Sequence, residues 1–342
     1  MNTVSADEQL DVVALGRFLD DHDLGSGAVR ASRIGDGASN LTYLIERRGK
    51  RVVLRRPPPP PIPPSAHDMM REARVQIALR RAGLPVPEIL AVCADDHVIG
   101  APFYVMEALE GFVLSGELPP ALDRSSARRA LAEQLIDALV QLHAVDWQAC
   151  GLEGLGRPSG YLDRQLHRWT SLWGQHATRE LNIFGEIEQR LRSGVPDSPA
   201  ATVVHGDFRL GNVMLGAGAP ARIVSILDWE MATIGDPLAD LGYLTATWSE
   251  PNCEGHPLLL TPATARPGFP SAAELADRYG SATGREVSHL RWYQGFALWK
   301  AAVFCEAMYR RFLQGERTDQ FARSMGDGVP RLLEVARLRL DY

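Results

Sequence analysis

Lysine is nearly missing from this chain. Of 36 basic residues only Lys50 and Lys300 are lysines, and arginine supplies the rest. Chemistry that ordinarily uses a lysine therefore has two candidates or must turn to arginine. Cysteine is sparse as well. Cys93, Cys150, Cys253 and Cys305 are scattered without a CxxC pair, which excludes a zinc-ribbon site and a disulfide framework and points to a reducing, cytoplasmic setting. No run reaches 18 consecutive apolar residues, so no membrane-spanning helix is expected, and the N-terminus lacks the basic-then-apolar pattern of a secretory leader. There is no excess of positive charge either: Lys+Arg 36 against Asp+Glu 42 gives a net charge of -6, which argues against a nucleic-acid partner. What is present is ordinary for a globular enzyme. The 342 residues are 45% hydrophobic and 23% charged, enough for about two domains.

The pattern along the chain divides in two. Residues 8–22 predict a first helix, and 41–46 with 51–55 predict a β-hairpin around the Arg48-Gly49-Lys50 turn. A proline run over 57–64 must be an extended connection. Ser65 is placed to cap a helix over 66–82 that contains Glu72, and 86–93 and 102–107 predict further strands. From Ser125 the character becomes helical, with Leu131, Leu135, Leu139 and Leu142 at helical spacing up to His143. Helices are predicted over 161–176, 180–193, 271–280, 289–313 and 317–339, with a long loop over 249–270. One small β element is expected from 201–204 and 222–227.

The chemistry concentrates in His205-Gly206-Asp207-Phe208-Arg209-Leu210-Gly211-Asn212 and in Asp228 at the end of the next apolar run. Asp and Asn oxygens are hard ligands suited to Mg²⁺, and a further Asp can accept a proton from a hydroxyl. Base, metal amide and metal carboxylate follow in the order used in kinase-type phosphoryl transfer. Asp236 and Asp240 come next, in GDPLADLGYL. A metal-dependent hydrolase using His205, Asp207 and Asp228 would need more histidine ligands than these motifs offer.

HGDxxxxN, DWE and GDPxxDL together resemble the aminoglycoside phosphotransferase and choline kinase superfamily. The likeness runs from about residue 30 to the C-terminus. It is nearest to the branch found fused to acyl-CoA dehydrogenases, through VLRRPPPPPIPPSAHDMMREARV, VIGAPFYVMEALEG and VVHGDFRLGNVML. The resemblance implies an α+β, protein-kinase-like two-lobed fold. Residues 1–106 would be a small antiparallel β lobe with a five-stranded-type sheet, and 107–342 a mainly helical lobe. It implies Asp207 as catalytic base, Asn212 and Asp228 as Mg²⁺ ligands, and His205 and Asp240 as supports of the catalytic loop. Gly37, Ser39 and Asn40 would cover the nucleotide phosphates, and the main chain of Tyr104, Val105 and Met106 would meet the adenine edge. ATP is the implied nucleotide, with GTP open.

Kinases of this fold hold the α- and β-phosphates with a lysine paired to a helix glutamate. Here the nearest position is Arg55, with Glu72 as its partner. Arginine grips phosphate through two parallel hydrogen bonds, so the exchange is chemically sound. Arg56 points to the opposite face by strand alternation. Glu230, Tyr243, Trp292, Trp299 and Lys300 are candidates for the acceptor site. The apolar, cation-bearing stretch over 289–312 favours a small hydroxylated metabolite, with an acyl chain or carboxylate, over a polycationic drug. An aminoglycoside kinase and a catalytically silent nucleotide-binding protein both stay open.

Overall fold

Short β-rich runs come first and long helices after, and a computed structural model of the chain keeps that order. It describes residues 10–35, 40–59, 67–114, 116–218 and 220–341. The first elements are helix α1 (Val12–Asp21), strands β1 (Ser26–Arg33), β2 (Leu41–Arg48) and β3 (Lys50–Arg56), helix α2 (Met69–Arg81), and strands β4 (Ile89–Cys93), β5 (Phe103–Glu107) and β6 (Phe112–Val113). Helices α3 (Ser125–His143), α4 (Tyr161–His176) and α5 (Asn182–Ser193) follow, then strands β7 (Thr202–Val204), β8 (Val213–Leu215), β9 (Ile223–Ile226) and β10 (Thr233–Gly235). Helices α6 (Leu238–Ala246), α7 (Ala272–Thr283), α8 (Leu290–Leu313) and α9 (Gln320–Leu340) complete the chain. Two compact units result. One comprises the described residues up to Gly111 with Ala149–Leu152 and Val224–Ala232; the other comprises Phe112–Gln148, Glu153–Ile223 and Thr233 onward.

The first unit is built on an antiparallel five-stranded sheet of order β1-β2-β3-β5-β4. Along β2, Leu41, Tyr43 and Ile45 are buried while their neighbours are more exposed, the period-2 signature of a strand with one core face. Arg47 opposes Lys50, so the hairpin turns through Arg48 and Gly49, with Gly49 at φ 77°. One sheet face packs Tyr43, Ile45, Val52, Leu54, Phe103 and Val105 against Leu15 and Leu19 of α1. The other face carries Arg55 and Tyr104, paired across β3 and β5, and meets Met69 and Ala73 of α2.

Two expectations change here. Helix α2 starts at Met69, because the Asp68 carboxylate accepts the Arg71 N–H at 3.0 Å and caps the helix. The expected cap, Ser65, lies outside the described residues, as does most of the proline run. Strand β1 was not anticipated: SGAVRASR is polar and largely exposed, an edge strand defined by its pairing to β2.

In the second unit, Leu131, Leu135, Leu139 and Leu142 form the fully buried stripe of α3. Helix α8 is central, with Trp292 through Trp299 buried on all sides. Two small β pairings appear here where one β element was expected: β7 with β10, and β6 with β8. Helix α6 falls on the GDPLADLGYL motif. It is apolar nearly all round and buried, so it shows no amphipathic period. Among the described residues no helix is long and apolar enough to cross a membrane.

α6 and α8 touch at backbone distance. A Cβ on Gly242 would lie 2.4 Å from the Tyr293 Cβ and 2.8 Å from its main-chain carbon. Gly242→Ala is therefore expected to destabilise the protein by about 1–3 kcal/mol, the usual size of an overpacking penalty. Urea unfolding, with Gly174→Ala in open space as the control, measures it.

Candidate active site

In the first unit, strand alternation turns Arg55 toward α2. Its Nε lies 3.2 Å from the Glu72 carboxylate, and its terminal nitrogen lies 2.6 Å from Asp228 and 3.9 Å from Glu230. Arg55 is thus the hub of three carboxylates. Burial alone would lower its pKa, but Glu72 foremost, with Tyr104, Asp228 and Glu230, holds it above the ordinary arginine value. Burial pushes the Glu72 carboxyl up, and Arg55 opposes that rise. Glu72 accepts the Tyr104 hydroxyl at 3.0 Å, and Gln76 donates to that same hydroxyl. The Asn40 amide donates to Glu230 at 3.0 Å and reaches Glu72 at 3.5 Å, while its oxygen lies 2.8 Å from His67 Nδ1. Asp228 sits at φ 66°, a left-handed conformation unusual for a non-glycine residue. Arg71 donates to the main-chain oxygens of Glu230 and Ala232 and ties α2 to this segment.

In the second unit, β7 ends at Val204 and delivers the loop that carries Asp207. Asp240, fully buried on α6, accepts the main-chain N–H groups of His205 at 2.7 Å and Gly206 at 2.8 Å. His143 Nε2 lies 3.2 Å from the same carboxylate, and His143 Nδ1 lies 2.7 Å from the Tyr279 hydroxyl. His205 is also fully buried, and its Nδ1 accepts the Asp207 N–H at 3.2 Å. The Asn212 amide donates to both the main-chain oxygen and the carboxylate of Asp207, at 2.8 and 2.7 Å. That commits its nitrogen and leaves its oxygen as the atom able to hold a cation. Tyr243 donates its hydroxyl to Asp207. Its pKa rises well above normal, through burial first and the Asp207 charge second. Arg209 lies 3.7 Å from Asp207, and Lys300 donates to the Gly206 carbonyl at 3.3 Å.

The geometry revises several sequence expectations. Tyr104, Val105 and Met106 lie inside β5 with β3 on one side and β4 on the other, so their main chain is spent on the sheet and unavailable to a purine. The first residues beyond the sheet are Ala108 and Leu109. Asn40 is 4% exposed, and its amide is spent within the carboxylate cluster. Gly37 and Ser39 lie outside the described residues. Trp292 and Trp299 are core residues: their indole N–H groups donate to the carbonyls of Leu191 and Phe184, and Trp299 stacks on Phe184 at 4.9 Å. Glu230, expected at the acceptor, belongs with Arg55 and Asp228. Tyr243 and Lys300 do stand at the loop of Asp207. Sequence reasoning missed Glu230 as a second hard-oxygen donor beside Asp228, although the Asp-x-Glu spacing offered the signal. It also missed His143, a polar residue closing the apolar stripe of α3.

A sequence model of the phosphotransferase enzyme family matches residues 30–293, and the chain belongs to that family. It is 31% identical over 315 residues to acyl-CoA dehydrogenase family member 10 of Mus musculus, and 32% identical over 329 residues to acyl-CoA dehydrogenase family member 11 of Gallus gallus. The matches cover 91% and 93% of this chain but only 29% and 41% of those proteins. A solved Ralstonia eutropha protein assigned as an aminoglycoside phosphotransferase superposes with TM-score 0.81 at 27% identity, over 97% of this chain and 98% of that one. A macrolide 2'-phosphotransferase superposes with TM-score 0.63 at 21% identity, over 95% and 97%, and shows the fold alone. The fold is the protein-kinase-like two-lobed one of that family.

Arg55 and Arg56 separate by function. Arg55→Ala is expected to raise the KM for Mg·ATP by about tenfold or more, the value of one lost charge-assisted pair. Glu72 loses its guanidinium partner in this variant, so stability is measured alongside the kinetics. Arg56 instead donates to the Ile99 carbonyl inside the opposite face, so Arg56→Ala should lower the melting temperature and leave the KM unchanged. Steady-state kinetics with parallel thermal melts read both.

Proposed function

We propose that this chain is an ATP- and Mg²⁺-dependent phosphotransferase that moves a γ-phosphoryl group to a hydroxyl of a small molecule, a hydroxyacyl compound. The observation that carries the reading is Asp207: a part-exposed carboxylate on a loop whose main chain is fixed from behind by Asp240 and whose side chain is held by Asn212. Fixed placement of a base is what phosphoryl transfer asks of a protein. The acceptor oxygen forms its bond to the γ-phosphorus, the bond from that phosphorus to the departing ADP oxygen breaks, and the hydroxyl proton passes to Asp207. Within the first unit, Asp228 and Glu230 offer hard oxygens suited to Mg²⁺; within the second, the Asn212 side-chain oxygen is a donor of the same kind. When bound, the metal neutralises phosphate charge. Arg55 would hold the α- and β-phosphates.

Two observations support the acceptor class. Arg209 stands beside Asp207, where a polycationic aminoglycoside would meet like charge. The curated relatives are named for acyl-CoA dehydrogenases, which associates this domain with acyl compounds.

A Mg·ATP consumption screen over hydroxy acids, their thioesters and kanamycin-like aminocyclitols tests the reading. Turnover is expected with a hydroxyacyl compound, to vanish with EDTA, and to fall about 10²–10⁴-fold in Asp207→Asn, the range of a lost general base. Saturable turnover of the aminocyclitols alone would replace the acceptor class. Full activity in Asp207→Asn would remove the base. No turnover of ATP or GTP with any acceptor would favour a silent binding protein.

A further inference from the structure

We infer that Lys300 is a positioning residue of the catalytic loop and not part of an acceptor pocket. The inference rests on the reading of Asp207 as the base. Lys300 leaves α8 next to the fully buried Trp299, and its ammonium ends on the Gly206 carbonyl, 3.3 Å away. The same nitrogen lies 5.4 Å from the ring centroid of Trp169. Trp169 is 2% exposed and held through its indole N–H to Gln165 at 2.8 Å. An ammonium is strongly hydrated, so a partly buried one needs replacements for water. Here they are a carbonyl oxygen, an aromatic face and the opposite charges of Asp207 and Asp240.

The consequence falls on Gly206. Its φ is 86°, a conformation glycine alone adopts readily, so this residue is where the loop would relax most easily. Its N–H is held by Asp240 at 2.8 Å, and its C=O is held by Lys300. The two anchors come from different helices, α6 and α8, which touch at backbone distance through Gly242 and Tyr293. One rigid pair of helices thus clamps the residue before Asp207 on both sides. A lysine that met the acceptor would have its ammonium directed past the loop; this one is directed into it.

Wild type, Lys300→Met and Lys300→Arg, all as the full chain, decide the matter by two measurements. The first is hydrogen exchange in the peptide spanning 202–215. Lys300→Met should speed exchange of the His205 and Gly206 amides by about tenfold, the scale of a local opening, while α8 and α9 stay protected. Lys300→Arg, which keeps a cation and a donor, should exchange nearly as wild type. The second is Mg·ATP hydrolysis with water as the sole acceptor. Lys300→Met should lose about 10–100-fold in kcat with the KM for ATP unchanged, as a misplaced base predicts, and Lys300→Arg should recover most of it. Wild-type exchange in Lys300→Met overturns the inference. So does unchanged hydrolysis without acceptor, which would return Lys300 to the acceptor. Loss of protection throughout α8 and α9 in both variants overturns it too, because the lysine would then hold the fold and not the loop. A wild-type chain that turns over neither Mg·ATP nor Mg·GTP, with water or with any acceptor screened, refutes the phosphotransferase reading, and the exchange comparison then decides on the brace by itself.

Discussion

A carboxylate with no solvent exposure anchors the loop that carries Asp207. Placing an ion in such a site costs several kcal/mol unless hydrogen bonds replace its water. Asp240 has those replacements: two main-chain N–H groups from the loop and the His143 ring. Burial acts to raise its pKa, but the His143 hydrogen bond first, and the His205 N–H among the others, keep it below the usual carboxylate range. Burial pulls the His143 pKa below the usual imidazole value, against the opposing pull of Asp240. One ring nitrogen can then donate to Asp240 while the other accepts from Tyr279. The energetic demand of the buried charge thus fixes the orientation of two consecutive peptide groups, and Asp207 is the next residue. Without that demand, a loop with Gly206 at positive φ would have many alternatives.

The first unit solves a different problem. Arg55 must hold an orientation on a strand without becoming permanently neutralised. A compact ammonium would satisfy one carboxylate at a time. The planar guanidinium presents Nε to Glu72 and a terminal nitrogen to Asp228 and Glu230. Glu72 in turn is held by Tyr104 and Asn40, so the inner contact is buried while the outer one faces two part-exposed carboxylates. In a chain with two lysines, the arginine fork at this strand position engages three carboxylates through two different nitrogens.

Much of this was readable in the residues, and what was not has physical causes. The motifs around Asp207, Asn212 and Asp228, the Arg55 register and the long amphipathic helices are local features, set by alternation, helical spacing and caps. Tyr104, Val105 and Met106 misled because a strand sequence does not reveal whether it is central or at an edge, and β5 is central. Trp292 and Trp299 misled because a helix buried all round shows no polar face to separate core from site. Helix α6 escaped for the same reason. The partners of Glu230 and His143 are Asn40 and Arg55, and Asp240 and Tyr279, all far away in sequence; only the folded chain brings those pairs together.

Net charge hides an opposite local balance in the two units. Three carboxylates converge on Arg55, an arrangement to which an added divalent cation is electrostatically welcome, since Asp228 and Glu230 approach the same nitrogen and offer hard oxygens. Asp207 has the reverse surroundings, with Lys300 and Arg209 nearby and its own charge already engaged by Asn212 and Tyr243. A carboxylate so neutralised attracts a polycation weakly. The same side chains therefore bear on two questions at once: one cluster favours a metal–polyphosphate ligand, and the other disfavours a multiply cationic acceptor. A formal charge of -6 spread over 342 residues could have decided neither.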